Sequence, residues 1–150
     1  MNQSRIILSS LFGLFMLGIV ASLFVTATIL TNRTNLGPGQ VATLFYAEWI
    51  EQAQEAPRQP LEEELHFKST YVTSEFGIAV ATRSRSEVTI DPVLCSSHIP
   101  RQIATRLITE EDSYASVMVY SDTQEQARLV LQKDENGWWR IDEVDCLSNV

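Results

Sequence analysis

Three hydrophobic patterns follow one another along the chain. Ile6 to Leu30 carries no charged residue and is built mostly from Leu, Ile, Phe, Val, Ala, Gly and Met. From Pro38 the apolar positions recur every three or four residues. Val41, Leu44, Phe45, Glu48 and Trp49 share one face, which predicts an amphipathic helix beginning near Pro38 to Gln40 and ended by Pro57 and Pro60. Leu61 to Phe67 reads as a second short helix, with Glu62, Glu63 and Glu64 in its first turn and His66 on its polar side. Tyr71 to Thr82 is ambiguous: Thr73-Ser74-Glu75 fits a helix cap, but β-branched residues weaken the helix that follows. Beyond Asp91 the period becomes two. Ala115, Val117 and Val119 alternate with Tyr114, Ser116, Met118 and Tyr120, and Ala127, Leu129 and Leu131 share one face of Gln126 to Lys133. Asp134-Glu135-Asn136-Gly137 is a turn leading into a strand from Trp138 to Val144. A shorter strand near Ala104 to Thr109 precedes this meander. Helices first and strands afterwards predict an α+β fold, with helices on one face of an antiparallel sheet.

The first pattern decides where the domain sits. A helix over Ile6–Leu30 spans about 37 Å, more than the roughly 30 Å hydrocarbon core of a bilayer. It is also longer than the ~7–15 apolar residues of a signal-peptide core, so an uncleaved single-pass anchor is expected. Val25-Thr26-Ala27 keeps cleavage after Ala27 open. Arg5 and the terminal amine before the segment, against Arg33 after it, place residues 1–5 inside. The expected organisation is a cytoplasmic stub 1–5, an anchor 6–30, a linker 31–39 and an extracytoplasmic domain 40–150.

Charge narrows the partners. The 150-residue chain has a net charge of -8, and Thr34–Val150 holds 9 basic and 19 acidic side chains. Phosphate backbones and anionic head groups call for a basic stripe, so nucleic acid is not an expected partner. A chain of this length buries about two-thirds of its unfolded surface, enough for a real core. Phe45, Trp49, Phe76 and Trp139 are its expected aromatics. Tyr46, Tyr114, Tyr120 and Trp138 fall on the opposite faces, and the last three are candidates for a partner or ligand surface.

The two cysteines, Cys95 and Cys146, allow three readings. An even count in an oxidising compartment fits one disulfide. Two buried thiols are the second reading. A reactive Cys95 with His98 as its base is the third, although nothing supplies a third orienting group. Metal binding is not expected, since His66 and His98 are the only histidines and neither sits in a ligand motif. No cofactor motif is present.

The order of an apolar segment, Phe45-Tyr46-Ala47-Glu48-Trp49, Asp91-Pro92-Val93-Leu94-Cys95 and a meander ending Gly137-Trp138-Trp139-Arg140-Ile141-Asp142-Glu143-Val144-Asp145-Cys146 resembles the nuclear-transport-factor-2-like superfamily. Its exported bacterial members are the nearest in pattern, over about Pro38 to Cys146. Ser96-Ser97-His98 departs from the Ala-Gln-Asp that follows the cysteine in that subgroup. The resemblance implies a curved sheet wrapped on helices as a cone, and a bacterial inner membrane with the domain in the periplasm. Members include isomerases, dehydratases, ligand-binding modules and secretion-system subunits, so the fold leaves function open. The expected function is a non-catalytic domain that binds a protein partner, a second copy of itself or a small ligand. The alternative is an isomerase- or dehydratase-type enzyme using Asp91 or His98. Asp142 is a further polar candidate, but solvent exposure and turn formation are the simpler readings of Asp142 and Asp91.

Overall fold

The computed structural model describes residues 36–86 and 89–147. The expected anchor 6–30, its cleavage point and most of the linker lie outside the described residues. Among the described residues no helix is long and apolar enough to cross a membrane.

The first helix, α1 (Pro38–Glu55), begins as the sequence predicts. Pro38 sits where its missing N–H has no intrahelical role, and the Gln40 side chain accepts the Gly37 N–H at 3.0 Å. Ala56 is extended ahead of Pro57, which closes the helix. Pro60 does not end α1. It lies in the first turn of a separate short helix, α2 (Gln59–Glu62). The buried face of α1 is Pro38, Val41, Ala42, Phe45, Tyr46, Trp49 and Ala53. It is therefore rotated from the expected stripe: Leu44 is 40% exposed and Tyr46 is buried. The tyrosine is admitted because its hydroxyl donates to the Val93 carbonyl at 2.9 Å, leaving no polar atom unpaired.

The expected helix over Leu61–Phe67 is broken. After α2 the chain turns at Glu64, which has a left-handed φ of 58°, and resumes as α3 (Leu65–Lys68). Three successive carboxylates gain little from staying in one helix, and the break turns both Leu65 and His66 inward. His66 is thus buried rather than on a polar face, which corrects the sequence expectation.

The ambiguous segment is α4 (Ser74–Ser86). Thr73 caps it as predicted: its Oγ1 accepts the Phe76 N–H at 3.1 Å and donates to Asp142 Oδ1 at 2.8 Å. Gly77 faces α3 so closely that a β-carbon would stand 2.8 Å from the His66 carbonyl oxygen and nearer still to the Phe67 ring. Gly77→Ala is expected to cost about 1–3 kcal/mol, because the backbone of α3 must move. Urea unfolding of the variant checks this, and an unchanged midpoint would show that α3 yields freely.

Four strands form an antiparallel meander in the order β1 (Ile103–Glu110), β2 (Tyr114–Ser121), β3 (Gln124–Lys133) and β4 (Trp139–Cys146). Ala115, Val117, Val119, Ala127, Leu129, Leu131, Ile141 and Val144 are buried on one face and pack with Phe45, Trp49 and Phe76. The two expected alternations, in β2 and β3, and the strand expected after the Asp134–Gly137 turn are seen, while in β4 the buried positions Trp139, Ile141 and Val144 lose strict alternation at an irregularity opposite Val130 and Leu131. Tyr71–Thr73 runs along the outer edge of β4, with Thr73 N–H on the Ile141 carbonyl at 2.9 Å and Ile141 N–H on the Tyr71 carbonyl at 2.8 Å. Helices packed on a four-stranded antiparallel sheet make the domain α+β.

Buried His66 gives a pH signature. Its Nδ1 has no hydrogen-bond partner among the described residues, and its ring lies 4.5 Å from that of Phe67. Burial lowers its pKa below the ordinary 6.5, only partly opposed by the Glu64 charge. The unfolded chain then takes up the proton more readily than the fold. Stability is expected to be full above about 6.5 and to fall as pH drops through the depressed value. Thermal unfolding between pH 8 and about 5 checks this. His66→Phe should flatten the slope, and a slope kept in that variant would assign it elsewhere.

Candidate functional site

Three of the residues singled out by sequence, Asp91, Cys95 and Cys146, meet where the chain passes from the helices to the sheet. Asp91 opens a tight turn there. Its N–H bonds the Ser96 carbonyl at 2.9 Å, and its carbonyl accepts the Cys95 N–H at 2.8 Å. Its side chain organises the same turn: Oδ1 accepts the Val93 and Leu94 N–H groups at 2.8 and 2.7 Å, and Oδ2 accepts the Trp49 indole N–H at 3.1 Å. Burial raises the Asp91 pKa, while the bonds from Leu94, Trp49 and Val93 pull it back. The same burial, with the Asp91 charge, pushes the Tyr46 hydroxyl far above its ordinary pKa. Both Asp91 oxygens are therefore occupied by donors of the fold, as the turn reading anticipates.

This turn delivers Cys95 to Cys146 at the end of β4. The two are joined in a disulfide with Cα atoms 5.4 Å apart and a sequence separation of 51. The bond removes both thiol readings, the buried pair and the reactive Cys95. Arg83 of α4 lies across the bridge. One guanidinium nitrogen, Nη1, donates to the Val144 carbonyl at 3.1 Å and the Pro92 carbonyl at 3.3 Å, and stands 3.6 Å from Cys146 Sγ. The Gln126 amide on β3 donates to the Cys95 carbonyl. Sequence reasoning missed Arg83, Gln126 and the Trp49 indole. All three come from distant elements and carry no local motif. Tyr46 had a usable signal, since it follows Phe45 within an apolar helical face.

Asp91 and His98 line one cleft of about 130 Å³, together with Arg58, Leu61, Ile90 and Leu94. His98 is exposed, with Nδ1 2.8 Å from Ser97 Oγ and its N–H on Ser96 Oγ at 3.0 Å. The cleft is smaller than the roughly 300–1,000 Å³ of ordinary ligand pockets. Asp142 belongs to another place. It accepts from Thr73 and from the Gln132 amide at 2.9 Å, in an open polar groove beside the β3–β4 turn. That turn is tied by Asp134, which accepts the N–H groups of Asn136 and Trp138 and the Arg140 Nε–H at 2.8 Å.

The candidate surface aromatics are only partly brought together. Tyr114 and Tyr120 stand at opposite ends of one face of β2, with half-buried Met118 between them. Tyr114 is 39% exposed. Tyr120 donates to Glu125 at 3.1 Å and lies under the Arg106 guanidinium, 5.4 Å from the ring centre. Trp138 is half-buried in the turn before β4, apart from Tyr120. Among the described residues no group of three His, Cys, Asp or Glu side chains is placed to hold a metal ion.

Comparison with known proteins finds no matching protein family, no matching curated protein and no matching solved structure.

Proposed function

We propose that this chain is a membrane-anchored, extracytoplasmic domain that works by binding a protein partner rather than by catalysis. The observation that carries the reading is the Cys95–Cys146 disulfide. Such bonds persist in oxidising compartments, and an apolar segment before the domain supplies a route across the membrane. The strongest catalytic candidate, Asp91, spends both oxygens on the turn that presents Cys95. The space between α1 and the sheet is filled by Phe45, Trp49 and Phe76. The helix-on-meander arrangement, with the Tyr71–Thr73 segment beside β4, is compatible with a nuclear-transport-factor-2-like cone whose interior is occupied.

The partner surface that fits best is the sheet face opposite the helices. It presents Tyr114, Met118 and Tyr120, and exposed Arg106 and Arg128 both pair in register with Met118. Aromatics and arginine flanking a flexible apolar side chain are the usual anchors of an interface. A photo-crosslinking residue at Tyr114 or Tyr120, in the full chain in its native membrane, tests this. A discrete adduct that Met118→Asp abolishes supports the reading. Adducts absent from both positions contradict it.

The enzyme alternative rests on Asp91 and His98 sharing one cleft. It would use the remaining acceptor site of Asp91 Oδ2, which takes only the Trp49 N–H.

A further inference from the structure

We propose that the Cys95–Cys146 bridge is an exchangeable disulfide, opened by an external dithiol that attacks Cys95 while Cys146 leaves toward Arg83. The inference goes beyond the binding role, and leans on the extracytoplasmic reading only for where the dithiol is met.

The bridge is asymmetric in both access and charge. Cys146 is exposed and Cys95 is half-buried, at the surface end of its turn. Cys146 Sγ faces the Arg83 guanidinium at 3.6 Å. Cys95 Sγ faces the Val93 carbonyl oxygen at 3.8 Å. A cation stabilises a sulfur that takes up charge, whereas a carbonyl oxygen favours a sulfur that keeps its proton. Access alone favours attack on the exposed Cys146, but Cys95 is still partly open, and exchange through the better leaving thiolate, Cys146 beside Arg83, directs attack to Cys95.

The thiolate of the external dithiol bonds to Cys95 Sγ, the Cys95–Cys146 bond breaks, and its electron pair leaves on Cys146 Sγ beside Arg83. The second thiol of the dithiol gives its proton to solvent and attacks its own sulfur in the mixed disulfide. Cys95 is expelled and takes up a proton. The protein disulfide is reduced by two electrons, and the dithiol is oxidised to a disulfide.

The surroundings hold both cysteines without the bridge. The turn of Cys95 keeps the three Asp91 side-chain bonds and the Gln126 bond to its carbonyl. Arg83 joins that turn to β4 through the Pro92 and Val144 carbonyls. Cys146 is still paired with Ala127 across the sheet. Opening the bond therefore leaves a folded domain with one charged and one neutral thiol, ready to reclose.

The test uses the purified full chain in detergent, with glutathione as the attacking thiol. Acid quenching, alkylation and peptide mass mapping locate the mixed disulfide. The expected result is glutathione on Cys95 with Cys146 alkylated, at denaturant concentrations too low to unfold the domain. Arg83→Gln should slow the reaction roughly three- to tenfold, and Arg83→Lys should retain most of the rate. In the reduced wild type, alkylation rates against pH should place Cys146 below the ordinary thiol pKa of about 8.5 and Cys95 above it. That titration needs no variant, and it decides the matter if Arg83→Gln fails to fold. Glutathione found on Cys146, equal rates in Arg83→Gln, or reduction only on unfolding would each overturn the proposal. These outcomes concern the isolated chain, so a failure of the export reading would leave them unchanged.

Discussion

Asp91→Ala is expected to lower unfolding free energy by about 3–5 kcal/mol, because three donors lose their acceptor at once. The Val93 and Leu94 N–H groups and the Trp49 indole all point at this carboxylate. Trp49, Val93 and Leu94 are themselves buried, so water is a poor replacement. Asp91→Asn separates structure from chemistry. Its amide oxygen can still accept from Val93 and Leu94, but its NH₂ group meets the Trp49 N–H donor to donor. A smaller loss of about 1–3 kcal/mol is expected, comparable to one buried donor left unpaired. Denaturant unfolding followed by Trp fluorescence measures both. A carboxylate reserved for catalysis would behave differently: Asp91→Asn would be as stable as wild type and would lose function alone.

The second large effect belongs to the disulfide. The loop it closes is 51 residues long, and the chain-entropy model gives about 4 kcal/mol for constraining the unfolded state. The paired substitution of Cys95 and Cys146 by serine should approach that loss while keeping the native near-ultraviolet circular dichroism. The slope of unfolding against denaturant should rise, because the unlinked chain exposes more surface. A loss of native signal in buffer would mean that the bridge, not the Asp91 turn and Arg83, holds β4 to the helices. An unchanged midpoint would mean that the unfolded chain is already compact across this loop.

How far the sequence reaches depends on whether information is local. Strands β2 and β3 are legible, because Ala115, Val117 and Val119, and Ala127, Leu129 and Leu131, recur every second residue on the core face; on the other face of β2 only Ser116 is also buried. The Asp134–Gly137 turn was legible for the same reason, with Gly137 at a positive φ of 77°. The helix 74–86 was hidden by its β-branched residues, and tertiary packing of Phe76 and Val80 outweighed their propensity. The exact buried face of α1 depended on a carbonyl 47 residues away, which let Tyr46 displace Leu44. His66 was misplaced because α3 turns at Glu64, a non-glycine residue in the left-handed region that no motif announces.

The candidate site divides along the same line. Asp91, Cys95, Cys146 and His98 were found from residue type alone, and the structure gathers the first three into one turn-and-bridge unit. Arg83 and Gln126 reach that unit from α4 and β3, and only the fold brings them there. Tyr114, Tyr120 and Trp138 were grouped as aromatics, yet the meander spreads them over its face and its far turn.

The proposed function requires an oxidised domain held outside the cytoplasm by an uncleaved anchor. The most direct measurement is the intact mass of the protein from native membranes, alkylated with and without prior reduction. A full-length chain whose two cysteines react only after reduction is expected. A mass beginning near Thr28, or two thiols open before any reductant is added, would contradict it.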